Sequence, residues 1–291
     1  MKILRFLPLL LLAPLLVPAA ATHSAAAEPV PTLVGIRAAH HPGFDRVVFE
    51  FEGGLPSSRR VRYVDELLAD GSGLPVRIAG RAVLRVRFEL AQAHDGAEVT
   101  APARKAFALP NVMTTVRAGD FEAVTTYGIG LAKRTDVEVF TLRNPDRVVV
   151  DVRAAFRTVD RRVYFFDSDR FVANREPFFV PRLRPVRPRT PATGVMDRLF
   201  AGPLPAERAD GLRLLRSEAT GFERLSIDDR IARITLTGGC SSHGSTVTVA
   251  GHILPTLRQL ATVDWVKVYD PDGDTGSPTG NTDSIPECLE P

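Results

Sequence analysis

The chain has 291 residues, of which 44% are hydrophobic and 24% charged. That composition fits two folded domains and excludes a disordered polymer. The formal net charge is only +3, and the Arg residues are scattered along strands instead of gathered in a tract. With no zinc spacing or RNA- or DNA-binding signature, no nucleic-acid partner is expected.

The first element is a leader. Lys2 and Arg5 precede an apolar run from Phe6 to Val17, and small residues follow, ending in Ala25, Ala26 and Ala27. Residues 1–27 therefore read as a secretory signal peptide, cleaved after Ala27, with Ala21 as second choice. The run is shorter than the ~20 apolar residues that a permanent span needs. No Cys stands at the end of the run, so no lipid anchor is expected, and no later stretch suits a membrane span. The expectation is an extracytoplasmic protein, soluble or held at the cell wall by binding.

From Val34 to Val152 the pattern is strand after strand. Leu84, Val86, Phe88 and Leu90 alternate with Arg85, Arg87 and Glu89. That is period two, with one face buried. Val47, Phe49 and Phe51 repeat it. Further strands are expected at Val112–Val116, Phe121–Tyr127, Val137–Leu142 and Val148–Val152, with turns such as Asp70-Gly71-Ser72-Gly73 and Asn144-Pro145-Asp146 between them. One short helix is expected at Val64–Ala69. This half reads as an all-β sandwich.

Two heptapeptides within it are nearly the same: DRVVFEF at 45–51 and DRVVVDV at 146–152. They lie near the two ends of one sandwich-sized segment. Two related halves of a single domain, each giving a strand to the centre, fit this better than two domains; chance similarity is the bland alternative.

After Asp160 the texture changes. Arg161–Phe166 reads as a strand. Phe178–Arg189 is extended but carries Pro181, Pro185 and Pro188, which confines it to a sheet edge or outside the ladder. Thr190-Pro191 starts a helix that buries Ala192, Val195, Met196, Leu199 and Phe200 and stops at Gly202-Pro203. Strands are expected at Leu212–Arg216, Phe222–Ile227, Ala232–Leu236 and Val263–Tyr269, with Asp228-Asp229 as a turn. A second helix is expected from Ser245, burying Ala250, Ile253, Leu254, Leu257 and Leu260 and bent at Pro255. This half reads as α+β. Residues 153–189 hold ten Arg against four acids, and residues 264–291 hold seven acids against one Lys. The two segments could attract each other; a solvated face is the default.

The only cysteines are Cys240 and Cys288. In an exported protein a pair points to one disulfide, worth roughly 3–4 kcal/mol for a loop of this length. A free reactive Cys240 is the competing reading.

Residues 32–153 resemble the AMIN-like domains of exported actinobacterial proteins, on HHPGFDRVVFEF at 40–51, TYGIGLAKRTDVEVFTL at 126–142 and NPDRVVVDV at 144–152. The resemblance implies a sandwich in a cell-envelope protein, of a kind thought to target amidases to peptidoglycan, although no amidase domain follows. Residues 160–275 resemble GerMN domains of sporulation and spore-germination proteins, on VYFF at 163–166, ATGVMDRLFAGPLPAE at 192–207 and STVTVAGHILPTLRQLATVDWVKVYDPDG at 245–273. That resemblance implies location and binding, with no catalytic residues to carry over. Residues 276–291 are expected to be a C-terminal tail tied back by the disulfide.

Three stretches offer chemistry. Gly239-Cys240-Ser241-Ser242-His243-Gly244-Ser245 places a thiol, hydroxyls and an imidazole before a helix. A nucleophile there needs an oriented base, and no third partner can be named. A strand-to-helix loop with Cys240 bonded to Cys288 is preferred. Asp270, Asp272 and Asp274 alternate as calcium ligands do, but no Glu closes the loop. A solvated turn is preferred. His40 and His41, adjacent on an extended segment, point apart and do not share an ion. No metal, cofactor or catalytic residue is assigned. The expected function is a non-enzymatic exported envelope protein that binds peptidoglycan, another cell-wall glycan or envelope partner proteins. The alternative is a cell-wall hydrolase, or its activator, with chemistry near Cys240–Ser245.

Overall fold

The computed structural model describes residues 30–291. The leader and its two cleavage points lie outside the described residues. The first half runs through β1 (Thr32–His41), β2 (Phe44–Glu52), β3 (Ser58–Val64), β4 (Ala82–Glu89), β5 (His94–Asp95) and β6 (Glu98–Val99). It continues through β7 (Arg104–Ala106), β8 (Val112–Phe121), β9 (Val124–Leu131), β10 (Val137–Leu142) and β11 (Asp146–Arg153). One antiparallel sheet has the order β1-β2-β11-β10 and another the order β3-β4-β9-β8-β7.

Alternation explains why these two sheets close on each other. Val47, Phe49 and Phe51 of β2 and Val148, Val150 and Val152 of β11 share a buried cluster with Leu84, Val86 and Phe88 of β4 and Tyr127, Ile129 and Leu131 of β9. Phe88 sits at its centre, with ring centroids 5.2 Å from Phe49 and 5.1 Å from Phe51. Two aligned sheets sharing one apolar layer make a sandwich.

The repeated heptapeptides meet at the middle of the first sheet. β2 and β11 pair antiparallel from Asp45 opposite Val152 to Phe51 opposite Asp146. Each repeat has Arg second and an acid sixth, so this register sets Arg46 against Asp151 and Glu50 against Arg147. Hairpins β1–β2 and β10–β11 are thus related by a local two-fold axis between Val48 and Val149.

Two local expectations change, and one buried charge is new. Val64–Ala69 is not a helix. Its backbone bonds go elsewhere: Val76 N–H donates to Leu67 at 2.7 Å and Asp70 N–H to Ala118 at 3.0 Å. Leu67 is thereby pressed onto β9 at Gly128, where a Cβ would lie 2.4 Å from its methyl group. Phe121–Tyr127 is not one strand. Glu122 and Ala123, both at positive φ, turn the β8–β9 hairpin. Asp45, within the first repeat, is a fully buried carboxylate that accepts from Asn111 N–H at 2.6 Å, Val112 N–H at 2.9 Å and His40 Nδ1 at 2.7 Å.

The second half contains β12 (Val159–Asp167), α1 (Ser168–Val172), β13 (Phe179–Val186), α2 (Pro191–Ala201), α3 (Pro205–Ala209) and β14 (Leu212–Arg213). β15 (Ala219–Asp228), β16 (Ile231–Gly238), α4 (Ala250–Arg258) and β17 (Trp265–Tyr269) follow. One sheet has the order β13-β12-β14, so the proline-bearing β13 lies at an edge. The other has the order β15-β16-β17. β16 and β17 run parallel, joined through α4 as a crossover needs. The helix expected from Ser245 begins at Ala250, because the Ser245 hydroxyl bonds locally, accepting from Val247 N–H at 3.2 Å and donating to its carbonyl at 2.9 Å. The turn between β15 and β16 falls on Asp229 and Arg230, one residue later than expected.

The tail returns along β17. Lys267 is fully enclosed, and its ammonium donates to the carbonyls of Ser277 at 2.5 Å, Thr279 at 3.1 Å and Thr282 at 3.2 Å. Arg258 pairs with Asp283.

The two halves have separate cores, but α2 joins them through two adjacent charges. Asp197 receives the Arg81 guanidinium in a two-pronged contact, with Nε–Oδ2 at 2.9 Å and Nη2–Oδ1 at 2.5 Å. Arg198, 2% exposed, donates to the carbonyls of Phe107 at 3.1 Å, Pro110 at 3.2 Å and Val112 at 3.4 Å, and also to that of Leu109. Burial pushes its basicity down to about 9, with repulsion from Arg184 adding to the shift. These carbonyls replace the water that the guanidinium loses.

Candidate functional site

The outward side of the β1-β2-β11-β10 sheet is a lattice whose rows follow from register. One row carries Gly35, Glu50, Arg147 and Leu142; the next carries Arg37, Val48, Val149 and Phe140. The third carries Ala39, Arg46, Asp151 and Glu138. At its end, His41 and Phe44 stack with centroids 5.0 Å apart. The repeats thus supply the middle of this face as well as the middle of the core.

Arg46 organises the surface. Its guanidinium lies 5.3 Å from the ring centres of both Phe44 and Phe140. Asp151 grips it with two bonds, at 2.8 and 2.7 Å. The hydrogen bond it donates to Asp151 strengthens its basicity, so it is a cation at any ordinary pH. Val48 and Val149 beneath are nearly or fully covered by the longer side chains around them. The result is a surface patch where two rings gather around one cation, edged by Arg37, Glu50, Glu138 and Arg147. Such a surface can stack on sugar rings and hydrogen-bond hydroxyl, amide and carboxylate groups.

The residues singled out in the sequence fall elsewhere. Cys240 and Cys288 form a disulfide, with Cα atoms 5.7 Å apart. Its sulfur is therefore not an available thiolate, and His243 turns to Glu218, with Nε2–Oε1 at 3.1 Å. The Asp270 carboxylate oxygen accepts the backbone N–H groups of Asp272 at 3.0 Å and of Gly273 and Asp274 at 2.8 Å each. It closes its own turn. His40 bonds to buried Asp45 whereas His41 stacks on Phe44, so the two side chains do diverge. Among the described residues no ion pair joins segments 153–189 and 264–291. The Arg-rich segment pairs instead within its own half, chiefly Arg184 with Glu207.

Residues 31–154 match the sequence model of the AMIN-like family. This segment is an AMIN-like domain. AMIN-like domains are associated with cell-envelope and peptidoglycan-related proteins, and the family suggests an extracytoplasmic location. The stacked face, both repeats and buried Asp45 all lie within the AMIN-like domain, and the family match stops where β11 ends. No curated protein and no solved structure matches the chain. Among the described residues no helix is long and apolar enough to cross a membrane.

Sequence reasoning missed Arg46 and Asp151 as partners, though a signal was present. Two antiparallel copies of an Asp-Arg-apolar-apolar-apolar-acid pattern bring the second position of one copy against the sixth of the other.

Proposed function

We propose that the chain is a non-enzymatic, exported envelope protein whose AMIN-like face binds peptidoglycan or a related cell-wall glycan. The observation carrying this reading is Arg46, held beside both Phe44 and Phe140 by Asp151 on the outward face of the sheet. N-acetylated sugars offer apolar ring faces to such a surface, and peptide stems offer carboxylates to its arginines. The test is co-sedimentation with purified cell walls. Wild type is expected in the pellet, and Phe140→Ala, with its fold checked by circular dichroism, should bind ~10-fold more weakly. A wild-type protein left entirely in the supernatant overturns the reading.

The second half fits a docking module beside it, and its GerMN resemblance enters here. The three resembling stretches fall on β12, on α2–α3 and on α4–β17, and β12, α2, α4 and β17 share one core. A groove of about 650 Å³ along the β13 edge, lined by Tyr164, Pro177, Phe178, Phe179, Pro181 and Pro255, is the surface that an envelope-protein partner would use. The hydrolase alternative predicts clearing of wall material in a zymogram that Cys240→Ser abolishes. The bonded state of Cys240 speaks against it.

A further inference from the structure

A second cavity, of about 250 Å³, opens at the junction of the two halves. Arg104 comes to it from β7 of the sandwich, and Arg208, Arg213 and Arg216 come from the segment after α2; Gly202 and Leu214 complete much of the wall. No acidic residue lines it. Among the described residues none of the four guanidinium groups has a carboxylate within ion-pair distance, whereas Arg46, Arg81 and Arg184 each have one.

What these side chains do touch is sparse. Arg104 donates to the Arg77 carbonyl at 2.6 Å. Arg213 donates through one nitrogen to the carbonyls of Arg208 at 2.6 Å and Leu212 at 2.9 Å, and Arg216 reaches the Phe200 carbonyl at 3.5 Å. A guanidinium carries five N–H donors, so most remain unused. Two of the four cations are also half-buried. Burial, and then repulsion from Arg216, pushes Arg104 down to about 10, and burial lowers Arg216. Lys105, next along β7, is lowered by burial and then by Arg208.

Clustered, partly desolvated cations without counter-charges are costly in an isolated protein. An anion in the cavity removes that cost. We infer that this junction is a binding site for a phosphate group, held by Arg104 from one half and by Arg208, Arg213 and Arg216 from the other. Guanidinium forks match phosphate oxygens in pairs, and several converging forks suit a compact oxyanion with acceptors on all sides. The cavity is smaller than the ~300–1,000 Å³ usual for whole small-molecule ligands. It therefore takes a phosphate with at most one small attached unit, as in free phosphate, the end of a phosphodiester polymer or a phospholipid headgroup. The site is remote in kind from the stacked glycan face, and its test does not depend on that reading.

The test uses the purified chain at constant ionic strength, with thermal melting and calorimetry. Three probes are compared against chloride: inorganic phosphate, glycerophosphoglycerol and vesicles containing phosphatidylglycerol. A rise in melting temperature with at least one probe is expected, because a ligand that bridges two halves binds only the folded state. Tighter binding of inorganic phosphate, of the diester or of vesicles identifies the corresponding source. Arg104→Gln with Arg216→Gln should weaken the best probe by at least ~10-fold. Should that pair fail to fold, exposed Arg213→Gln alone should weaken it by a few-fold. Arg224→Gln, on an exposed site of β15, should leave it unchanged. Equal melting temperatures in all probes and chloride, or undiminished binding by both Arg variants, overturn the inference.

Discussion

The two halves of the chain hold themselves together by different means. The AMIN-like half closes two sheets over one apolar layer, with Phe49, Phe51, Phe88 and Tyr127 at its centre. The second half has two three-stranded sheets and short helices, and its interior is crossed by satisfied polar groups. Lys267 holds three tail carbonyls, Arg184 is buried against Glu207, and His252 bridges two backbone segments. Broad sheets can exclude water by area alone. Short elements leave irregular backbone inside, and its carbonyls and amides need partners. The difference teaches where each half is most vulnerable: chiefly to lost volume in the sandwich, although Asp45 is buried there, and to a lost proton or donor in the other.

The largest expected effect is on the apolar side. Phe88→Ala empties the space between Phe49 and Phe51 and should destabilise the sandwich by about 3–5 kcal/mol, read as a lower urea midpoint. A loss under ~1 kcal/mol breaks the claim that this half depends on its aromatic centre.

Next comes the contact between the halves. Arg198→Ala leaves a row of buried carbonyls without their donor and should cost about 2–4 kcal/mol. The single calorimetric transition expected of wild type should split into two. A variant that still unfolds in one step shows that Asp197 with Arg81 suffices to couple the halves.

The smallest effect concerns pH in the second half. His252 is fully buried; Nε2 accepts the Leu215 N–H at 2.9 Å and Nδ1 donates to the Tyr164 carbonyl at 2.8 Å. Burial pushes its pKa from 6.5 down to about 4. Below 6.5 the unfolded chain takes up a proton that the folded chain refuses, so stability falls as pH drops toward 4. The loss is at most roughly 3 kcal/mol. His252→Gln should flatten the dependence of urea midpoint on pH in that window, whereas an unchanged slope assigns it to other groups.

Much of this architecture was legible. Period-two strands, the edge position of the proline-bearing β13, the α2 boundaries and the pairing of the two heptapeptides all follow from local pattern and turn chemistry. The polar interior was not. On α2 the stripe of Ala192, Val195, Met196, Leu199 and Phe200 assigns Asp197 and Arg198 to the solvent side, yet both are buried. The reason is tertiary: the sandwich covers the face opposite the stripe. Lys267 reads as a solvated residue of a half-exposed strand until the tail folds over it. The Arg46 surface was half visible, since the repeat stands in the sequence but the register that joins Arg46 to Asp151 depends on how its copies pair. The cationic junction is assembled from residues about a hundred positions apart and leaves no mark in either segment.

Asp197 and Arg198 are neighbours on one rigid helix, and both reach into the sandwich. A linker of flexible residues would let the stacked face and the β13 groove roam relative to each other. This clasp instead sets a fixed spacing between them. If each surface has its own partner, engagement of one presents the other at a defined position with little further entropic loss, so weak contacts multiply into avidity. On the proposed function, the molecule then behaves as a spacer of set length between its two partners.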